Sequence, residues 1–177
     1  CFPKDTKALA RIGQENAVAM QITETVIKVN DEIKRRMIQK LLDLCDGSFK
    51  DKIIAVLGVT FKPNTDDMRE SPSLVIVPRL IEAGATEICL LNRTQERAEI
   101  VARDLGAALR VEPWSGRDAA LQGAALLVNT TSLGMTDQAA LDIDLAALPL
   151  DAVVNDLVYS PLTTALLGAA AARGNIA

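Results

Sequence analysis

The chain has 177 residues, 49% of them hydrophobic and 24% charged, with a net charge of −4. That length holds one compact domain plus an extension, and that composition belongs to a folded rather than a disordered chain. No run approaches the ~18 apolar residues of a membrane span, no basic-then-apolar leader is present, and no basic stripe exists to neutralise nucleic-acid phosphates, so neither a membrane nor a nucleic acid is expected as partner.

Residue usage narrows the chemistry further. There is no histidine, which removes the commonest general base and the commonest metal ligand. Cys1, Cys45 and Cys89 are odd in number and widely spaced. They fit neither a zinc site nor a disulfide framework, no metal is expected, and a reducing, cytoplasmic setting is the default. One Trp, one Tyr and three Phe are too few for an aromatic platform that stacks single-stranded bases.

In chain order, Asp5 is placed to cap a short helix over 6–12, which Gly13 ends or bends. Nothing then breaks the pattern from 14 to 45. Val18, Ile22, Val26, Val29, Ile33, Met37, Leu41 and Leu44 recur at spacings of three or four, as one face of a long helix does. At about 1.5 Å per residue such a rod is roughly 45–50 Å long. It either lies across one side of the domain or pairs with its copy in a dimer. "DGSFKD" (46–51) is a turn. Strands are expected at 52–59, 87–92, 108–113, 124–131 and 151–159, and helices at 71–84, 94–106, 116–123 and 161–174. Ser71 is placed to cap the first of these helices, Gly84 to stop it, and Pro78 to kink it.

Alternation of apolar strands with helices predicts an α/β fold: a Rossmann-like, doubly wound parallel sheet over 48–177, preceded by a helical segment over 1–47. Ligands of such sheets bind outside the carboxyl ends of the strands, at the switch in strand order. The strand after 52 should lead into a glycine-rich phosphate turn. Instead it leads, after Gly58, into the polar loop "TFKPNTDDMRESPS" (60–73).

Two families are resembled. "CFPKDTKAL", the helix after it and "LGVTFKPNTDDMRESPS" (57–73) resemble UDP-glucose 6-dehydrogenases over about the first 85 residues. That resemblance implies a catalytic Cys1 assisted by Asp5, a dimer helix over 14–45, substrate contacts from Phe61 and Lys62, and NAD contacts from Lys4 and Arg69. The residues themselves read equally as a polar loop in which Asp66, Asp67 and Glu70 pair with Lys62 and Arg69.

From about residue 86, "LLNRTQERAEIVARDLGA", "LVNTTSLGM" and "VVNDLVYSPLTTALL" resemble the NADP-binding domain of shikimate dehydrogenases. This implies that Asn92, Arg93, Thr94 and Arg97 hold the 2′-phosphate of NADP, that Asn129, Thr130, Thr131 and Ser132 lie near the nicotinamide, and that Leu157 and Tyr159 flank nicotinamide and substrate. An arginine suits a phosphate at the end of the second strand, where an acidic residue suits a ribose diol. The plain readings are a helix start with exposed arginines and a half-buried packing Tyr159.

The change of family near 82–88 implies a chimera, natural or engineered. The expectation is a nucleotide-binding domain for NADP, NAD or a UDP-sugar, without turnover, in a homodimer. An active NAD(P)-dependent oxidoreductase and a ligand-free recombination scaffold are the alternatives.

Overall fold

The computed structural model describes residues 2–59, 71–106 and 108–177, in two compact units, Cys1–Lys40 and Leu41–Ala177. The first unit is helical. Helix α1 runs Phe2–Glu15 and α2 runs Gln21–Leu44, continuing into the second unit. The single helix expected over 14–45 is therefore broken at 16–20. The chain turns there because Ala17 adopts φ +54° and the Val18 and Ala17 amides donate back to the carbonyls of Gly13 (2.8 Å) and Gln14 (3.2 Å). This pair of bonds closes a helix C-terminus around one left-handed residue, usually a glycine. Gly13 does not end the first helix. It lies inside α1, and a Cβ on it would stand 2.4 Å from Met20 Cγ and 2.8 Å from the Val18 oxygen, so its bareness lets the turn fold back. Asp5 sits in the first turn of α1 rather than before it. Helix α2 has 24 residues, about 36 Å at 1.5 Å each. Ile22, Val29 and Ile33, from the expected apolar row, are 83%, 47% and 57% exposed.

The second unit is built on a five-stranded, all-parallel sheet: β1 Ile53–Leu57, β2 Glu87–Asn92, β3 Leu109–Pro113, β4 Ala124–Asn129 and β5 Val153–Asp156. The strand order is β3-β2-β1-β4-β5. Parallel strands buried on both faces need continuous apolar runs, and "IIAVL", "ICLL" and "ALLV" supply them. Helices α4 (Gln95–Leu105) and α5 (Ala165–Arg173) pack on the sheet, and α3 (Ser73–Glu82), which follows β1, buries Ile76, Val77 and Leu80. One face carries Ala55, Leu57, Leu91, Leu127 and Val154 in a cluster with Leu121, Leu166 and Ala170. The alternate positions Ile54, Val56, Ile88, Leu90 and Val128 are also fully buried. Buried side chains of α3 and α4 (Ile76, Leu80, Ala98, Val101) lie outside that cluster. The architecture is the doubly wound Rossmann-like one expected.

Several ends differ from expectation. Helix α3 starts at Ser73, not at a Ser71 cap. The buried Ser71 and Ser73 hydroxyls bond each other at 2.7 Å, and Pro72 stands at the N-cap position with no side-chain bond to the helix. The helix passes through Pro78 and closes at Gly84, whose amide donates to the Ile81 carbonyl while that of Ala85 donates to Leu80. The short helix expected over 116–123 is two single 3₁₀ turns, Trp114–Gly116 and Ala119–Leu121. Six residues between two glycines are too few to propagate an α-helix. Helix α5 begins at Ala165, capped by the Thr164 hydroxyl, which accepts from the Leu167 amide at 3.3 Å. Among the described residues no helix is long and apolar enough to cross a membrane.

Candidate functional site

The sheet changes direction at β1. Strands β2 and β3 lie to one side of it, β4 and β5 to the other. The carboxyl ends of β1 and β4 therefore border the crevice in which doubly wound sheets take their ligands. Gly58 leaves β1 with φ +90°, its amide donating to the Leu91 carbonyl at 2.7 Å. A Cβ there would stand 2.6 Å from Thr131 Cγ2 and 3.2 Å from the Thr131 nitrogen. Opposite it, the buried Thr130 hydroxyl lies 2.9 and 2.7 Å from the carbonyl oxygens of Leu57 and Gly58, and the Thr130 amide donates to Leu57 at 2.8 Å. The ends of β1 and β4 are thus tied directly to one another.

Two further ties flank this one. Asn92, at the end of β2, accepts from the Val59 amide at 3.1 Å and donates to the Thr94 carbonyl at 2.8 Å. Asn129, at the end of β4, donates to Asp156 Oδ1 at 2.9 Å and accepts from the amide and hydroxyl of Thr131 at 3.0 and 2.7 Å. Asp156, at the end of β5, also accepts from the Val158 amide at 3.0 Å and from the Thr164 hydroxyl at 2.7 Å. These bonds explain why the strands expected over 124–131 and 151–159 stop at Asn129 and Asp156. Beyond those residues the backbone amides of Thr131 and Val158 turn back to side chains instead of continuing the ladder.

Asn92 and Thr130 therefore hold the rim of the crevice together through their own side chains. Arg93 and Thr94 are exposed at the start of α4 and Arg97 is half-buried one turn on. Thr94 occupies the N-cap position with no side-chain bond to the helix. Ser132 and Leu157 are half-buried on the loops that leave β4 and β5. Tyr159 is 75% exposed, which overturns the packing role its ring was weighed for. Lys4 and Asp5 are exposed in α1, within the other unit. Cys1, Phe61, Lys62 and Arg69 lie outside the described residues. Cys45 and Cys89 are buried, free thiols. Burial pushes the Cys45 thiol up and the Cys89 thiol to about 11, so both are poor nucleophiles at neutral pH. Sequence reasoning missed Asp156 and Thr164. The one signal for them was the polar residue closing each apolar strand, Asn92, Asn129 and Asp156 in turn.

Comparison with known proteins finds both of the resembled families. The family model for the UDP-glucose/GDP-mannose dehydrogenase family, UDP binding domain, matches residues 55–138. The shikimate dehydrogenase (NADP(+)) of Paramagnetospirillum magneticum is 57% identical over 100 residues, 56% of this chain and 36% of that protein. The UDP-glucose 6-dehydrogenase of Rhizobium meliloti is 48% identical over 85 residues, 48% of this chain and 20% of that protein. A solved UDP-glucose dehydrogenase from Pyrobaculum islandicum superposes with a TM-score of 0.72 at 28% identity, covering 99% of this chain and 35% of the other. The chain spans between a fifth and just over a third of the length of these relatives. The two curated matches together exceed its length, so they overlap, and the family match runs through residues 82–88. The second unit thus has the fold of a dehydrogenase nucleotide-binding domain, and the chain resembles both the UDP-glucose and the shikimate dehydrogenases.

Proposed function

We propose that the second unit binds a nucleotide, with NADP as the favoured ligand and its 2′-phosphate at the start of α4. The observation that carries this reading is Arg93, exposed one residue beyond β2, where a ribose-binding domain would carry an acid. Arg97 follows one helical turn later, and the first amides of α4 face the same end. A guanidinium beside helix amides is matched to a phosphate dianion. The test is a titration of the protein with NADPH, NADH and UDP-glucose, beside Arg93→Ala. NADPH binding that Arg93→Ala weakens at least about tenfold is the expected result, the size of one charge-assisted phosphate contact. Equal binding of NADPH by both proteins removes the assignment.

A second reading, a UDP-sugar site, is favoured by the family match over 55–138; UDP-glucose binding that is indifferent to Arg93→Ala would support it. The resemblance to two families also supports a mixed origin for the chain. We infer in addition that two copies associate through the helical unit. Ile22, Val29 and Ile33 leave an apolar row exposed along α2, of the kind that a helix seam buries. Sedimentation should give a dimer that Ile22→Lys with Ile33→Lys converts to monomer.

A further inference from the structure

We propose that Asp156 is a positioning residue that sets the two loops at the mouth of the crevice, the turn leaving β4 and the turn leaving β5; the proposal rests on the nucleotide-binding reading above. Asn129 and Asp156 are register partners at the last rung of the β4–β5 ladder, and Asn129 is in turn the partner of Leu57 at the last rung of β1. The three residues therefore share one face of the sheet at its ligand-binding edge. To end β5, an aspartate need only accept from the amide two residues on. Asp156 does so, taking the Val158 amide on Oδ1. It also takes the Asn129 side-chain amide on the same oxygen and the Thr164 hydroxyl on the other.

The bonds continue outward from there. Asn129 Oδ1 holds both the amide and the hydroxyl of Thr131, and Thr131 Oγ1 accepts from the Leu133 amide at 3.0 Å. On the other side, the Thr164 oxygen caps α5 through the Leu167 amide. One carboxylate thereby ties together the exit of β4, the exit of β5 and the start of α5. Thr131 is the residue whose methyl closes on Gly58, so the same relay determines how far the β4 turn stands from the end of β1. All the donors to Asp156 are neutral. The carboxylate is held by direction and number of bonds, an arrangement that fixes geometry because each donor lost leaves a charged acceptor underfilled.

The experiment compares Asp156→Asn, Thr164→Val, Thr164→Ser and the core variant Ile54→Val with wild type. NADPH is the probe, urea unfolding measures stability, and amide hydrogen exchange is followed at Thr131, Val158 and the mid-strand Leu90. Asp156→Asn keeps the shape but puts an NH2 where an acceptor stood. Thr164→Val keeps the shape and removes the hydroxyl, which Thr164→Ser restores. Asp156→Asn and Thr164→Val are expected to weaken NADPH binding about tenfold or more, because a displaced binding backbone loses oriented contacts steeply. They should also speed exchange at Thr131 and Val158 more than at Leu90. Thr164→Ser and Ile54→Val should bind as wild type does. Wild-type affinity in both Asp156→Asn and Thr164→Val overturns the proposal while leaving the nucleotide reading intact. If wild type itself binds no NADPH, the nucleotide reading fails, and exchange then decides: selective acceleration at Thr131 and Val158 upholds the positioning role, and uniform or unchanged exchange overturns it. Should Asp156→Asn not fold, the Thr164 pair carries the same comparison.

Discussion

Gly58→Ala should be among the most destabilising single-methyl additions in the second unit, and its cost should depend on Thr131. Two effects add. At φ +90° an L-residue is strained by about 1–2 kcal/mol. The new Cβ would also stand 2.6 Å from Thr131 Cγ2, well inside van der Waals contact, and overpacking of that kind costs about 1–3 kcal/mol. The expected total is about 2–5 kcal/mol. Thr131→Ser removes the offending methyl and keeps the hydroxyl that bonds Asn129 and Leu133. In that background the backbone strain and the 3.2 Å approach to the Thr131 nitrogen remain, so Gly58→Ala should cost only about 1–2 kcal/mol. Urea unfolding followed by the fluorescence of Trp114, which packs on the core of this unit, gives the four free energies of the cycle. A cost below about 1 kcal/mol, or the same cost in both backgrounds, would refute the close approach of the two strand ends.

The other predictions concern single contacts. Ala17→Gly should stabilise the helical unit by about 0.5–1 kcal/mol by relieving the left-handed residue in its turn, while Gly13→Ala, with its Cβ 2.4 Å from Met20 Cγ, should destabilise it by about 1–3 kcal/mol; urea melts read by helical circular dichroism give both signs. Asn175 is buried and donates to the carbonyls of Pro149, Leu150 and Ala152 at 2.7, 3.1 and 3.1 Å. Asn175→Asp would aim a carboxylate at three carbonyl oxygens and should cost about 3–5 kcal/mol at neutral pH, with stability recovering as acid protonates the new carboxyl. Cys89, fully buried in β2, has its thiol raised from 9.0 to about 11 by burial. The folded state then holds the proton more tightly than the unfolded one, so this contribution is complete below about pH 9 and lost as pH rises to about 11. Between pH 7 and pH 10 wild type should lose about 1.4 kcal/mol more than Cys89→Ala in the same urea assay.

The strands were legible because burial on both faces demands apolar runs, and "IIAVL", "ICLL" and "ALLV" are such runs. Their ends were not, because Thr130, Thr131, Val158 and Tyr159 are acceptable strand residues and it is the Asn129 and Asp156 side chains, accepting from the amides two residues on, that take the backbone out of the ladder. The break between α1 and α2 was hidden for a related reason: Ala17 carries no local signal for a left-handed turn, and the space that permits the turn is supplied by Gly13, four residues earlier. Arg93 was legible from its place one residue past a strand. Asp156 was not, since two of its three donors come from residues 8 and 27 positions away.

These particulars locate where the ends of the strands must fit one another. Strand β1 pairs along its length with β2 and β4. The contacts there are aliphatic and tolerant of exchange, since cores accept hydrophobic substitution when volume and pattern are kept. The rim has no such tolerance. Gly58 must be bare for Thr131 to approach, Thr130 must reach the Leu57 and Gly58 carbonyls, and Asn92 must receive the Val59 amide. Each of these contacts joins the end of β1 to the end of a neighbouring strand. The sheet therefore says little about what the site can hold, and the few side chains at its carboxyl edge say most. A nucleotide site in this chain stands or falls with that rim.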